Sequence, residues 1–296
     1  MKVNLLAHLA IFAANLIYGI NYSIAKDVMP AYIMPFGFIF CRVLGALSLF
    51  LLIGSFMKEK VAKKDFLRMA ICGFFGVAAN QLMFFYGLNQ THPINAGIIM
   101  TSNPILVLIA SAIILKTRIT WLKILGIALG ISGALLILLF KKGFAFGSDT
   151  IVGDAFIFFN ALSYGVYLVL VKPLMSKYKP ITVIKWVFTF GFLFVLPFGL
   201  HDATQIQWNT FSGEIWSKFL FVIIGTTFLA YLFNIYGLKK LNPSAVSTYI
   251  YLQPVIAAFF AIWAGKDSFT WIKLIAVLLI FSGVYLVSRP ISVKNQ

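Results

Sequence analysis

The chain has 296 residues, of which 61% are hydrophobic and 11% are charged. Soluble domains carry about 25% charged residues, so this composition, with a mean hydropathy of +0.96, excludes a soluble protein. A net charge of +16 would suggest a nucleic-acid partner for a soluble protein, but here it indicates basic loops beside the anionic head groups of a lipid bilayer. The two cysteines, Cys41 and Cys72, lie in apolar runs, which argues against a disulfide framework and a metal cluster.

Long charge-free runs, such as residues 3–25 and 69–115, reach or exceed the roughly 20 residues with which an α-helix crosses a bilayer. The runs are continuously apolar and do not alternate strictly, which favours helices over a β-barrel. We therefore predict an all-α membrane protein with ten transmembrane helices. The predicted spans are 4–25, 34–56, 66–88, 93–115, 120–140, 152–171, 181–199, 217–238, 243–264 and 270–288.

The distribution of lysine and arginine over the loops predicts the orientation. When ten spans are counted, most of the 24 basic residues lie in segments on the same side as the N-terminus. Basic loops face the cytoplasm, so both termini are predicted to be cytoplasmic and the protein to lie in the cytoplasmic (inner) cell membrane. The longest predicted connection, about 200–216, is short, so the function is expected to reside within the membrane.

A stretch from Tyr86 to about Ile137 occurs twice, because it matches the chain 150 positions later without a gap. Ten spans in two halves give five spans each, and this odd number requires the second half to insert upside down relative to the first. The sequence therefore predicts two inverted five-helix repeats, at 5–140 and 152–289. The matching residues include Tyr86-Gly87-Leu88 with Tyr236-Gly237-Leu238, Pro93 with Pro243, Pro104 with Pro254, Thr120-Trp121 with Thr270-Trp271, Lys123 with Lys273, and Ser132-Gly133 with Ser282-Gly283.

These units resemble a known family of transporters. Each first helix carries a tyrosine-glycine pair, Tyr18-Gly19 and Tyr164-Gly165, which are 146 residues apart. Together with the paired proline helices and the Trp-Lys and Ser-Gly residues of each last helix, they are similar to the EamA-type transporters of the drug/metabolite transporter superfamily. The resemblance covers about 5–140 and 152–289. It implies a ten-helix solute transporter of the cytoplasmic membrane, often an exporter of amino acids or other metabolites.

Two prolines predict the position of the site. Pro104 and Pro254 lie near the bilayer centre, well after Pro93 and Pro243, which begin the same helices. A proline inside a helix removes an i→i−4 hydrogen bond and clashes with the carbonyl four residues back. Proline-interrupted spans at corresponding positions of two repeats indicate a transporter site. We therefore predict hinges at Pro104 and Pro254, with simple packing curvature as the alternative.

Polar side chains form stripes on several predicted spans. In the sixth span, four of them from Asn160 to Tyr167 fall at i, i+3, i+4 and i+7, on one helix face. Polar groups in lipid face other helices or a wet cavity, so the stripes predict an amphipathic chamber, with helix–helix hydrogen bonding as the alternative. The predicted substrate-binding residues are Asn15, Tyr18, Tyr22, Asn80, Asn103, Asn160, Ser163, Tyr164, Tyr167, Tyr231, Asn234, Ser247, Thr248, Tyr251 and Gln253.

Charge within the spans is nearly absent. All eight acidic residues lie at or near span ends, so no buried carboxylate offers itself as a proton relay. Arg42 is the exception, and it resembles an arginine often seen in the second helix of the family. We interpret it as structural, bonding to nearby carbonyls or reaching the interface, in preference to substrate binding. No catalytic constellation, metal site or cofactor site is predicted, which disfavours an intramembrane enzyme.

The sequence thus predicts a secondary transporter working by alternating access around a midplane cavity. An uncharged aromatic, hydroxyl and amide lining suits small neutral or zwitterionic metabolites, amino acids above all, and export is the usual direction in the family. A multidrug exporter of the same fold is the alternative within this class. Gly126 and Gly130 form a GxxxG motif, which favours close packing within the fold, and a homodimer is left open.

Overall fold

The computed structural model describes residues 5–57, 59–139, 150–263 and 270–288, which form helices and turns and no β-strand. This part of the chain is all-α, as predicted. The helices are α1 (Leu5–Val28), α2 (Pro35–Ser55), α3 (Lys63–Gln90), α4 (Pro93–Met100 and Asn103–Ile114), α5 (Trp121–Leu139), α6 (Ile151–Lys177), α7 (Pro180–Thr204), α8 (Gly213–Lys240), α9 (Pro243–Thr248, Tyr249–Tyr251 and Leu252–Trp263) and α10 (Trp271–Ser288).

In the described part of the chain, 7 helices are long and apolar enough to cross a membrane, namely α2, α3, α4, α6, α7, α8 and α10. Shorter apolar helices, Leu5–Asn21 and Trp121–Ile137, lie within α1 and α5. The chain is therefore a multi-pass membrane protein. The count of ten crossings and the cytoplasmic termini stay predictions, because helix length and composition place no membrane around the bundle.

The surface of the bundle is apolar, as a lipid-facing surface must be. Trp121 and Trp271, which correspond in the two halves, are 73% and 75% exposed at the first positions of α5 and α10. Tryptophan is enriched where a transmembrane helix meets the membrane–water interface. The two tryptophans are therefore in the position expected for the start of a transmembrane helix.

Helices α5 and α10 pack closely through small residues. A Cβ on Gly283 would lie 2.5 Å from the carbonyl oxygen of Gly126, and a Cβ on Gly133 would lie 2.6 Å from that of Ala276. Gly133 corresponds to Gly283, and Gly126 to Ala276, at the offset of the repeat. The same contact is therefore made twice with the halves exchanged, and the small residues around Gly126 serve packing within the chain.

A second exchanged contact joins α3 to α6 and α8 to α1. A Cβ on Gly87 would lie 2.8 Å from the carbonyl oxygen of Gly153, and one on Gly237 would lie 3.3 Å from that of Ala7. Gly87 and Gly237 correspond in the two halves. Ala7 and Gly153 also correspond, at the offset that relates the two tyrosine-glycine pairs. A pseudo-two-fold axis between the two repeats would produce such pairs of contacts, in which corresponding residues exchange places.

Helices α4 and α9 are interrupted just before Pro104 and Pro254. In α4 the amides of Thr101 and Ser102 bond to carbonyls three residues back, each at 3.0 Å. In α9 the corresponding turn, Tyr249–Tyr251, is a 3₁₀-helix. Since a proline supplies no amide to the carbonyl four residues before it, the turn ahead of each proline tightens to i→i+3 bonding.

The packing of α5 on α10 generates a first prediction. A methyl group added by Gly283→Ala would collide with the backbone of Gly126, and overpacking of this kind costs about 1–3 kcal/mol. We expect a lower melting temperature of the purified protein in detergent. The matched control is Gly213→Ala, because a Cβ at Gly213 meets no atom within 4 Å. Equal melting temperatures of the two variants would contradict the packing argument.

Candidate functional site

A cavity of about 100 Å³ lies inside the bundle, among α1, α2, α3, α4, α6, α8 and α9. A cavity of this size holds several water molecules or a small solute, since one water needs about 10–15 Å³ by the same measure. Its wall consists of Asn15, Tyr18, Asn21, Arg42, Asn80, Gln81, Phe84, Phe85, Met100, Asn160, Tyr164, Thr226, Tyr231, Asn234, Val246, Ile250 and Gln253.

The two interrupted helices meet at this cavity. Met100 of α4 and Ile250 of α9 both line it, and each is the residue four positions before the proline. The two π-helical segments, Phe74–Ala79 in α3 and Phe221–Leu229 in α8, end where α3 and α8 reach the cavity. π-Segments within α-helices are frequently found at functional sites, so four helices depart from regular geometry beside the same space.

Tyr231 connects α8 to α3 across one wall. Its hydroxyl donates to the carbonyl of Gly76 at 3.0 Å and accepts from Nε2 of Gln81 at 3.2 Å. Asn160 of α6 donates from Nδ2 to the carbonyl of Asn80 at 2.6 Å. These bonds hold α3, α6 and α8 together at the level of the cavity.

Side chains of α1 bond to α8 and α9 elsewhere on the wall. Gln253 of α9 donates from Nε2 to Oδ1 of Asn15 at 2.9 Å. Asn234 of α8 donates from Nδ2 to the hydroxyl of Tyr18 at 3.1 Å. Thr226 donates to Oδ1 of Asn21 at 3.0 Å. The polar wall is therefore a network between helices and not a set of isolated side chains.

Two amide oxygens on this wall have no partner among the described residues, namely Oε1 of Gln81 and Oδ1 of Asn160. Both side chains are buried, at 2% and 1% exposure. Buried acceptors are nearly always hydrogen-bonded, so these are two unsatisfied acceptors on side chains that line the cavity.

Arg42 also lines the cavity, and the structural role predicted for it stays a prediction. Its guanidinium carbon lies 4.6 Å from the ring centroid of Phe85, and its Nε donates to Oγ1 of Thr227 at 2.9 Å. The side chain is 3% exposed. The salt bridges within the described ranges involve Asp27, Asp65 and Glu214 near helix ends and none of them reaches Arg42.

Eight of the predicted substrate-binding residues line the cavity. They come from α1, α3, α6, α8 and α9, so these five helices share a common space. The backbone of Tyr22 belongs to α1, but its side chain lies outside the described part of the structure. The eight lining residues are Asn15, Tyr18, Asn80, Asn160, Tyr164, Tyr231, Asn234 and Gln253.

Four of the predicted residues are not among the lining residues and bond to backbone carbonyls. Asn103 donates to Ala161 at 2.6 Å and Ser163 donates to Phe75 at 2.7 Å, so both join neighbouring helices. Ser247 and Thr248 donate within α9 to the carbonyl of Ser244, at 3.0 and 2.6 Å. In the structure, these four side chains therefore make hydrogen bonds within or between helices, which was the alternative to lining a cavity.

Tyr167 and Tyr251 are the remaining predicted residues, and both pack on glycines away from the cavity wall. The ring of Tyr167 fills the space beside Gly76, and that of Tyr251 fills the space beside Gly130. Both rings are fully buried in the core, at 1% and 0% exposure. A large ring against a glycine is a close helix contact, and the polar stripe alone did not indicate it.

Sequence reasoning left several lining residues out of the predicted site. Asn21 lies beside the stripe of α1, and Met100 and Ile250 each lie four residues before a predicted hinge proline, so the sequence pointed to these three. Nothing in the sequence pointed to the other apolar lining residues, Phe84, Phe85 and Val246. The residues in question are Asn21, Arg42, Gln81, Phe84, Phe85, Met100, Thr226, Val246 and Ile250.

Within the ranges that the structure describes, no group of three or more His, Cys, Asp or Glu residues could hold a metal ion. The lining residues include no histidine, cysteine or carboxylate. The arrangement can donate and accept hydrogen bonds, offer aromatic faces and present one cation to a solute.

Comparison with known proteins gives a consistent family. The sequence model of the EamA-like transporter family matches residues 5–139 and 151–289. An uncharacterized transporter of Archaeoglobus fulgidus is 27% identical over 96% of this chain and 98% of its own length. The uncharacterized transporter YetK of Bacillus subtilis is 24% identical over 96% and 87%.

Two further similarities concern an amino-acid exporter and the fold. A probable terminal-alkyne amino-acid exporter of Streptantibioticus cattleyicolor is 25% identical over 76% of this chain and 74% of its own. A solved crystal structure has the same fold, with a TM-score of 0.77 and 20% identity over 95% of this chain and 96% of that one.

The cavity wall generates a second prediction, tested by single cysteines in a background that lacks Cys41 and Cys72. Tyr164→Cys and Asn234→Cys should react with a small water-soluble methanethiosulfonate, because both positions line the cavity. Ser247→Cys should stay unmodified, because Ser247 is buried within the helix packing. Mass spectrometry of the intact protein measures the modified fraction. Equal modification at all three positions would show that the stripe of α9 also lines the cavity.

Proposed function

Because the chain belongs to the EamA-like transporter family, we propose that it carries small neutral or zwitterionic metabolites, such as amino acids, by alternating access. The protein is a membrane transporter, and the proposal concerns its solute, its mechanism and its location in the cytoplasmic cell membrane. The observation that carries it is the polar cavity between the two proline-interrupted helices. Interrupted helices of transporters lie where solute binds near the midplane.

The chemistry of the wall supports this class of solute. Amides and tyrosine hydroxyls line the cavity together with Phe84, Phe85 and Met100. A zwitterion with an apolar side chain suits both kinds of side chain, whereas phosphorylated sugars and nucleotides need several cations in one place. The amino-acid exporter among the relatives supports amino acids and export.

The ends of the bundle support alternating access. At the end with the predicted cytoplasmic loops, Lys177 bonds to Asp65 at 3.0 Å and Lys172 bonds to the carbonyl of Leu241 at 2.6 Å. At the opposite end, Thr91 bonds to the side chain of Asp154. In the proposed cycle of ten helices with both termini cytoplasmic, the two halves rock on each other and these end contacts break in turn.

The test of the proposed function is solute flux in proteoliposomes. We expect the purified protein to release neutral amino acids from vesicles loaded with a broad metabolite mixture, measured by mass spectrometry against protein-free vesicles. Release of lipophilic cationic dyes without amino acids would support a multidrug exporter of the same fold. Absence of flux for both classes would refute the proposal.

The prolines test the mechanism. Pro104→Ala and Pro254→Ala restore a backbone amide, so each should regularise its helix and slow the flux while the amount of membrane-inserted protein stays unchanged. Pro243→Ala is the matched control, because a proline at the first helical position costs no hydrogen bond. Normal flux in both Pro104→Ala and Pro254→Ala would contradict the hinges and support the alternative, in which the two prolines only curve their helices.

A further inference from the structure

We propose that Arg42 binds the carboxylate of the transported solute, and that the solute is therefore a zwitterion and not an amine or an uncharged molecule. This inference deepens the proposed function and rests on it. It starts from a juxtaposition: the cavity wall carries a buried guanidinium and two buried amide oxygens that have no partner among the described residues.

The guanidinium is held in place before any solute enters. Nε donates to Oγ1 of Thr227, and the planar group stacks over Phe85. Arginine on an aromatic face keeps its charge and its remaining donors. Within the described chain, the bond to Thr227 is the hydrogen bond that this guanidinium makes, which leaves its terminal nitrogens for a ligand. A carboxylate matches that planar pair of donors with two parallel bonds.

No salt bridge among the described residues involves Arg42. The described acidic side chains that form salt bridges, Asp27, Asp65 and Glu214, pair with Lys177 or Lys218. A buried charge without a partner is costly, and intramembrane charges of this kind mark solute pathways. A solute carboxylate would supply the missing partner during transport.

The fold does not require a cation at this position. At the offset that relates α1 to α6, the counterpart of Arg42 in the second half is Phe188. Phe188 is fully buried and packs edge-on against Tyr231 at 5.0 Å. An apolar ring thus fills the equivalent site of the second half, so the arginine serves something that the two halves do not share.

The two free acceptors fit the positive end of a zwitterion. Gln81 precedes Phe85 by one helical turn, so their side chains lie on the same face of α3. Arg42, which lies over Phe85, lines the same cavity as Gln81 and Asn160. An ammonium group donates to such oxygens, and the adjacent tyrosine rings stabilise it further. The single cation favours one carboxylate over a dianionic phosphate.

The experiment compares matched solutes in proteoliposomes of the full chain. The probes are neutral L-amino acids, their carboxamides, which lack the negative charge, and their N-acetyl derivatives, which lack the positive one. We expect the wild type to carry the amino acids about tenfold to a hundredfold faster than the carboxamides, the range of one charged hydrogen bond. Slower flux of the N-acetyl derivatives would support the role of Gln81 and Asn160, and equal flux would overturn that part alone.

Arg42→Gln should remove the preference, so that amino acids and carboxamides are carried equally fast. Arg42→Lys should retain part of the preference, because it keeps the charge and loses the paired bonds. The matched control is Arg68→Gln, an exposed arginine of α3, which should behave as the wild type. Size-exclusion profiles check that each variant folds. If Arg42→Gln misfolds, Thr227→Val takes its place. Thr227→Val removes the hydrogen bond to Nε of Arg42 and should weaken the same preference for amino acids.

The outcomes separate the two proposals. Equal flux of amino acids and carboxamides in the wild type would overturn the carboxylate site, and so would an unchanged preference in Arg42→Gln. Neither result would contradict the proposed transport of small metabolites. Flux of none of the three probe classes would overturn the proposed function and, with it, this inference.

Discussion

The structure depends on a rule that lipid imposes on the backbone: an amide or carbonyl inside the bilayer must find its partner within the protein or beside water. The turns before Pro104 and Pro254 break regular helix geometry, and both lie beside the cavity. At the first of them, the hydroxyls of Thr101 and Ser102 bond back to carbonyls three residues earlier, at 2.6 and 2.7 Å. Irregular backbone therefore occurs where polar side chains and a wet space are available to satisfy it.

Much of the fold was predictable because proline and glycine act through the backbone. The missing amide of Pro104 interrupts its helix whatever the neighbouring helices are, and Gly87 and Gly237 permit close contact in both halves. Apolar runs likewise predicted the helices, since lipid demands them. The number of crossings was less accessible: α9 is divided at Tyr249–Tyr251, so length and composition alone do not identify it as a span.

The site was only partly predictable, because a polar side chain in a helix has two ways to satisfy itself. Asn234 donates both to Tyr18 of α1 and to the carbonyl of Ala230 in its own helix, whereas Ser247 and Thr248 donate within their own helix alone, and local sequence permits both. The rotation of a helix decides which faces meet, and packing sets that rotation. Tyr167 shares a stripe with the lining residues Asn160 and Tyr164, but its ring packs against Gly76 of α3, and the ring of Tyr251 packs against Gly130 of α5.

The features that the two halves share and the side chains in which they differ have separate consequences. Helix interruptions and close glycine contacts recur in both halves, which is what an exchange between two equivalent states of the bundle requires. The side chains on the wall do not recur: Gln81 corresponds to Tyr231, and Arg42 corresponds to Phe188. A wall of identical halves would bind a symmetric solute, and most metabolites are not symmetric. The shared backbone features therefore suit the proposed movement, and the unshared side chains give the cavity wall a cation and two acceptors without a described partner.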